Sequence, residues 1–284
     1  MHKADPSRCS APTPLPAIAA SAAPVSIFAV MEAVPFRVDG KVALATGAGR
    51  GIGLAMARAL AAAGAAVAIQ DIDLDVANAE VARIRSQGGK AIALGGDLSD
   101  LTLPQQLVEQ TVAHLGSIDI LINNGAIQSN GSWLEMPVEE MQKQFDCDLL
   151  GPILFSRYAV PHMKARKWGR IINIGSIQQR GANPHMLPYS LSKAAMEKFT
   201  MALARDLAKD QITVNCVAPG WINTWRNRDD FKTEEETKQK GRHIPLGRIG
   251  IPEDFAGIAL LLCSEAGSYI TGQTIFVDGG LSAH

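Results

Sequence analysis

Short apolar runs alternate along this chain with longer amphipathic or alanine-rich stretches, the pattern of buried strands separated by helices. The first run, 41–45, leads directly into Thr46-Gly-Ala-Gly-Arg-Gly-Ile-Gly53, and an alanine-rich stretch free of proline and glycine follows over 54–63 and stops at Gly64. A second apolar run, 65–70, ends in Asp71 and completes a strand, helix, strand unit. A third strand precedes Asp97. The pattern then predicts a helix over 103–115, a strand over 118–123, one long helical stretch over 138–165 and a strand over 170–175. Helix 189–208, strand 213–217, helix 252–264 and strand 274–277 complete the series before Asp278-Gly-Gly280. Seven strands with helices between them imply an α/β fold, a doubly wound parallel seven-stranded sheet in a single domain over 37–284.

Residues 1–36 differ, being rich in Ala, Pro and Ser without periodicity, and read as a disordered N-terminal extension. A signal peptide is the competing reading, because Lys3 and Arg8 precede an apolar stretch over 17–34, but Pro12, Pro14 and Pro16 crowd its start and Pro24 interrupts it. Met31 offers an alternative start of translation. At 284 residues, 47% apolar and a net charge of −1, the chain has material for one substantial core and lacks the basic stripe of a nucleic-acid binder. No apolar run is long enough for a membrane anchor. Cys9, Cys147, Cys216 and Cys263 are scattered, which favours free thiols and a reducing, cytoplasmic setting. The six histidines form no H-x-x-x-H and no cluster with cysteine, so no metal site is expected. Asn130-Gly-Ser132 matches a glycosylation sequon and reads as an ordinary loop.

Chemistry concentrates in two places. Gly47, Gly51 and Gly53 space as G-x-x-x-G-x-G, while Ile52 stands where the G-x-G-x-x-G dinucleotide fingerprint has its third glycine. The physics is the same: glycines permit a tight turn and close approach of backbone to a pyrophosphate, at a helix N-terminus with unpaired N–H groups. Asp71, ending the next strand, suits hydrogen bonds from an adenosine ribose and repels a 2′-phosphate, which favours NAD over NADP. Arg50 pulls the other way if it pairs with a 2′-phosphate, and is otherwise a solvated loop residue.

The second place is Tyr189 with Lys193 four residues on, and Ser176 thirteen residues upstream. Residues i and i+4 share a helix face, so an ammonium there favours the ionised phenol and makes it a usable base. The other two tyrosines, Tyr158 and Tyr269, are followed at that spacing by His162 and Gln273. A chance pair on a solvated helix is the plainer alternative for any one tyrosine, and a loop-capping serine for Ser176.

Taken together, the 46–53 turn, Asp97-Leu98, Asn123-Asn-Gly-Ala126, Ser176, Tyr189-x-x-x-Lys193, Asn215, Pro219-Gly220 and Thr224 resemble the short-chain dehydrogenase/reductase family over about residues 38–281. The resemblance implies a Rossmann-like sheet of strand order 3-2-1-4-5-6-7 with a nicotinamide cofactor across its carboxyl ends. It assigns Tyr189 as acid/base, Ser176 as hydrogen-bond donor to the substrate oxygen, and Lys193 as the group that lowers the tyrosine pKa and binds the nicotinamide ribose. The cofactor residues it implies are Gly47, Arg50, Gly51, Ile52, Gly53, Asp71, Asp97, Leu98, Asn124, Tyr189, Lys193, Pro219, Gly220, Ile222 and Thr224. Asn124 and Ile172-Asn173-Ile174 are expected beneath the ring.

The chain departs from the family twice. Asn-Asn-Ala-Gly is usual where Asn123-Asn124-Gly125-Ala126 stands, a swap expected to have little effect. Asp148 occupies the place of a catalytic asparagine, whose main-chain carbonyl holds a water beside the lysine; Asp148 preserves that water path but alters the local charge. Ordinary activity, a shifted pH optimum and reduced activity are all compatible with it.

Substrate contacts are expected from 178–187 and 221–246, which carry Gln178, His185 and Trp225 among other polar and aromatic residues. That polarity suggests a sugar, polyol or sugar acid, with a solvated lid as the plainer reading. A 3-oxoacyl thioester and a small cyclic ketone are alternative substrates, and a nucleotide-binding sensor with weak turnover is the alternative of another class. The family usually forms tetramers, and the helical stretches 138–165 and 190–208 are the expected contacts of a homotetramer.

Overall fold

The computed structural model describes residues 36–283 except 182, 229, 230 and 232, so the expected N-terminal extension lies outside the described residues apart from Phe36. Seven parallel strands form one sheet in the order β3-β2-β1-β4-β5-β6-β7. They are β1 (Val42–Ala45), β2 (Ala66–Asp71), β3 (Ala91–Gly95), β4 (Ile120–Asn123), β5 (Gly169–Ile174), β6 (Ile212–Pro219) and β7 (Thr274–Val277). β1 pairs Val42 with Ala66 of β2 on one side and Ala43 with Ile120 of β4 on the other. Because chain order reverses across β1, the loops leaving β1 and β4 diverge and open a crevice at their carboxyl ends.

Strand alternation divides the core into two layers. Ala43, Ala45, Val67, Ile69 and Ile122 face one side, against α1 (Gly51–Ala62), α2 (Leu74–Ser86) and α8 (Ala256–Cys263). Leu44, Ala68, Leu121 and Val214 face the other, against α3 (Leu103–Leu115), α5 (Gly151–Arg166) and α6 (Leu187–Leu207). A further helix, α7 (Glu234–Gly241), lies in the segment between β6 and β7. α2 begins at an Asp73 cap on the Val76 N–H and satisfies the helical crossover between β2 and β3.

The stretch expected to be helical over 138–165 is helical throughout, but its hydrogen-bond pattern changes within it. α4 (Val138–Phe145) passes through a π turn, Asp146–Leu150, before α5 begins. Pro152 has no N–H for the carbonyl four residues back, that of Asp148, and the Gly151 N–H bonds instead to the carbonyl of Asp146. A Cβ on Gly151 would meet the carbonyl oxygens of Asp146 and Leu98 at 3.1 and 3.2 Å, so a glycine is required where the turn passes the β3 loop. Periodicity cannot show such a change, because both halves keep apolar spacing.

Asn173 is not beneath the nicotinamide side of the crevice. It is fully buried on the other face, where Asn123 donates to its Oδ1 at 2.8 Å and its own amide donates to Thr200 Oγ1 at 2.9 Å. This chain of bonds ties β4 and β5 to α6, the helix that carries Tyr189 and Lys193. Asn173→Ala removes the shortest bond of the Asn123 amide, which keeps only contacts of 3.4–3.5 Å to Ser156 and Pro152, and the donor to Thr200 Oγ1, which keeps its own bond to the Met196 carbonyl; thermal unfolding is expected to show a loss of about 1–3 kcal/mol, and a change below about 0.5 kcal/mol contradicts this account.

Candidate active site

The glycine turn is held to the end of β4 by reciprocal hydrogen bonds. Thr46 Oγ1 accepts the N–H groups of Asn124 and Gly125 at 3.0 and 3.1 Å, and the Asn124 amide donates to the carbonyls of Thr46 and Gly47 at 2.9 and 2.8 Å. A Cβ on Gly53 would lie 2.4 Å from Asn124 Nδ2, and one on Gly47, already at φ +56°, 2.5 Å from the Gly125 Cα. These glycines are thus dictated by the Asn124 clamp as much as by any ligand. Gly53 does not border the crevice. At the swapped position, a Cβ on Gly125 would meet Leu98 Cδ1 at 2.1 Å, so the leucine side chain fills the space an alanine takes in the usual order.

From this turn a crevice of about 920 Å³ runs to Ser176, Tyr189 and Lys193. Gly47, Arg50, Gly51, Ile52, Asp71, Asp97, Leu98, Asn124, Pro219, Gly220, Ile222 and Thr224 all border it. α1 opens into it with no side chain capping its first turn and no acidic residue there, which leaves its N–H groups and positive end directed at an anion. An elongated anionic dinucleotide fits this cradle.

At one end, Asp71 accepts from the N–H groups of Gly49 and Asp73, each at 3.0 Å, through different oxygens. Arg50 pairs with Asp73 at 2.9 Å and stacks 4.6 Å from the Trp225 ring, whose ring Arg228 also approaches at 3.9 Å. Asp97 accepts from the Ser99 N–H and hydroxyl and pairs with Lys143 at 3.3 Å; these hydrogen bonds hold its carboxyl below the usual range. Gln70, inside a strand that reads as apolar, is fully buried and joins Gly47 N–H to the Gly96 carbonyl at 2.9 and 2.8 Å. A polar residue in an apolar run was the signal for it.

At the other end, Ser176 caps a short 3-10 turn, Ile177–Gln179, and accepts from the Gln178 N–H at 3.1 Å. Tyr189 and Lys193, one turn apart on α6, are both buried, with Lys193 Nζ 5.4 Å from the phenol ring centre and donating to the Ile174 carbonyl at 3.1 Å. The π turn carries Asp148 inward. Its Oδ1 accepts from the Ile127 N–H at 2.8 Å and its Oδ2 lies 3.5 Å from Lys193 Nζ. Burial pushes the Asp148 carboxyl up, against the pull of Lys193 and the Ile127 bond. Burial also drives the Lys193 ammonium down, but the charges of Asp148 and Tyr189 outweigh it and hold the lysine above its ordinary value. Cys147, beside them, is pushed to about 12 by burial and by Asp148.

Of the expected substrate residues, Gln178 and Trp225 border the crevice. His185 does not: the residue is exposed outside it, its carbonyl accepting from the Gly131 N–H at 2.9 Å and its N–H donating to Asn183 Oδ1 at 3.0 Å. Proline at 184 starts a 3-10 turn, Pro184–Met186, that carries the ring away while Asn183 and Met186 face in. Arg226 spans the crevice and donates to the Ala126 carbonyl. Among the described residues no three His, Cys, Asp or Glu side chains gather as a metal site, and no helix is long and apolar enough to cross a membrane.

A parallel sheet with a dinucleotide crevice at its switch point and a Ser, Tyr, Lys group at one end defines a nicotinamide-dependent oxidoreductase. A family model described as enoyl-(acyl carrier protein) reductase matches residues 47–282. The chain belongs to the short-chain dehydrogenase/reductase family and acts on CH–OH groups or the corresponding carbonyls. It is 40% identical to 3-oxoacyl-[acyl-carrier-protein] reductase of Synechocystis over 72% of this chain and 81% of that one. Among solved structures, a gluconate 5-dehydrogenase from Burkholderia cenocepacia with NADP and tartrate is 35% identical at a TM-score of 0.82, covering 88% of this chain and 98% of that one. A 7α-hydroxysteroid dehydrogenase with NADH and 7-oxo glycochenodeoxycholic acid is 36% identical at a TM-score of 0.82, covering 87% and 96%.

Proposed function

We propose that this chain interconverts a secondary alcohol and a ketone on a substrate bearing hydroxyls or a carboxylate, a sugar, polyol or sugar acid, with NAD as cofactor. Arg226 carries the substrate class. Its guanidinium crosses the crevice to Ala126, close enough to the reactive end for its charge to act on both Lys193 and Asp148. Only one of its nitrogens is engaged by that bond, and a guanidinium so placed pairs with a carboxylate or with vicinal hydroxyls. The tartrate bound by the gluconate 5-dehydrogenase supports the same class. A 3-oxoacyl thioester is the second reading, favoured by the Synechocystis relative.

In reduction, the Tyr189 phenol gives its proton to the substrate carbonyl oxygen, and the Ser176 hydroxyl donates a second hydrogen bond to that oxygen. Lys193 holds the cofactor ribose and stabilises the phenolate left behind. The bound nicotinamide supplies the hydride, or takes it up in oxidation. Gln178 and Trp225 border the substrate end.

Asp71 keeps lone pairs for a ribose diol after accepting one N–H on each oxygen, and Asp73 occupies Arg50. Two carboxylates there disfavour a 2′-phosphate. Fluorescence titration is expected to give tighter binding of NADH than of NADPH, with Asp71→Ala narrowing the gap; tighter NADPH binding overturns the preference.

We further propose a cytoplasmic homotetramer. Exposed Leu150, Leu191 and Met201 on the π turn and α6 supply apolar surface for subunit contacts. Light scattering at micromolar concentration is expected to give a mass near four chains, and a monomer refutes it.

Tyr189→Phe is expected to bind NADH nearly as the wild type does and to turn over at least about a hundredfold more slowly. Lys193→Ala is expected to impair both properties. NADH absorbance with a panel of sugar acids, polyols, cyclic ketones and 3-oxoacyl thioesters reads the activity. Preference for the thioesters supports the second reading, and turnover retained in Tyr189→Phe removes the assigned acid/base.

A further inference from the structure

Asp148 brings a second charge to a place where the family has an amide. Asp148 and Lys193 are 1% and 4% exposed, and Oδ2, the oxygen facing the ammonium at 3.5 Å, has no hydrogen-bond partner among the described residues. Oδ1 is fixed separately by the Ile127 N–H at 2.8 Å. An asparagine retains that backbone bond and gives Lys193 a neutral neighbour, so the contribution peculiar to this chain is charge. We propose that Asp148 is a positioning residue that offsets the Lys193 charge beside Tyr189 and thereby biases proton transfer toward carbonyl reduction and away from alcohol oxidation near neutral pH.

An ammonium beside a phenol stabilises the phenolate by direct charge attraction. A carboxylate against that ammonium converts the charge into a dipole, which stabilises a phenolate far less. Reduction starts from the protonated phenol and oxidation from the phenolate, so compensation extends the pH range of the first and raises the pH needed for the second.

The charged and titratable groups around Asp148 are few. Lys193 and Tyr189 face it from α6, Cys147 from its own turn, and Arg226 from the segment after β6; the Asp97–Lys143 pair lies beyond Cys147. Cys147 stays a neutral thiol near pH 7, since burial pushes it to about 12. Arg226 bears the same sign of charge as Lys193 and cannot supply the compensation. The sign with pH follows: below the raised pKa of Asp148 its carboxyl is neutral and the lysine charge is uncompensated. Above it the carboxyl is ionised and the compensation is present.

The test is the pH profile of kcat/KM in both directions, wild type against Asp148→Asn, with the substrate that the panel identifies. The acid limb of oxidation is expected to move down by about one unit, which raises oxidation at pH 7 about tenfold. The alkaline limb of reduction is expected to move down with it, while NADH binding is unchanged. A merely structural role lowers rates or affinity without moving the limbs. Asp148→Ser removes the same charge in a smaller side chain and is expected to shift both limbs in the same direction, which covers poor folding of the asparagine variant. Limbs that stay in place, or move up, overturn the proposal. It rests on Tyr189 as the acid/base, and the two fail separately. Turnover retained in Tyr189→Phe removes that assignment, whereas an inactive Tyr189→Phe with unmoved limbs in the Asp148 variants removes only the role of Asp148.

Discussion

The interlocked bonds between Thr46 and Asn124 hold together the two strand ends whose divergence makes the crevice. A parallel sheet leaves its carboxyl-end loops free to part at the switch point, and some interaction has to fix how far they part. Here it is four hydrogen bonds between two adjacent turns, each between a backbone group and the side chain of Thr46 or Asn124. The lack of space for a Cβ at Gly47 and Gly53 follows from it, and so does the direction of α1, whose uncapped N-terminus points along the crevice. A buried bond of this kind contributes about 1 kcal/mol net and costs more when half of it is lost, so its main effect is geometric.

A second constraint lies in the backbone between α4 and α5. Pro152 withholds an N–H, the helix accommodates the break with a π turn, and Asp148 is carried into contact with Lys193. Two buried opposite charges at such a distance stabilise the fold little on balance, because desolvation offsets their attraction, whereas removing one partner is costly. The value of the pair is therefore in the potential it sets at the neighbouring phenol. The same turn places Leu150 on the surface, so the backbone break shapes the reactive centre and an outer face together.

Specificity resides in different material from catalysis. The relatives include a 3-oxoacyl-[acyl-carrier-protein] reductase, a gluconate 5-dehydrogenase and a 7α-hydroxysteroid dehydrogenase at 35–40% identity. What differs between such enzymes is carried by segments that no strand or core layer holds in place, such as the one bearing Trp225 and Arg226. In this chain that segment is anchored at Ile222, which is buried and bridges to Gly250, and Arg226 then reaches back over the opening.

The succession of strands and helices and the glycine turn were legible in the sequence because they rest on local pattern and on residue types with few alternative uses, whereas the strand order came only from the family resemblance. Segments such as 118–123 and 213–217 are short, rich in β-branched residues and bounded by helical stretches, which marks them as buried strands. Tyr189 and Lys193 were legible for the same reason, since an i, i+4 pair on a helix needs no tertiary knowledge to be placed side by side. Other features were decided only by the tertiary structure. Asn173 and Ile174 are neighbours in one strand, yet Ile174 borders the crevice and Asn173 is sealed in a buried hydrogen-bond chain on the opposite face. His185 is turned outward by the 3-10 turn it belongs to, and the helical stretch 138–165 changes its hydrogen-bond pattern ahead of a proline four residues after Asp148. Gln70, hidden in an apolar run, braces the glycine turn from a strand that pairs with it. The Asn173 and Gln70 contacts depend on which residues distant in the chain come to face one another, and local pattern carries no information about the partner. The charge of Asp148 was visible from the outset, but its meaning was set by the 3.5 Å that separates it from Lys193, forty-five residues away.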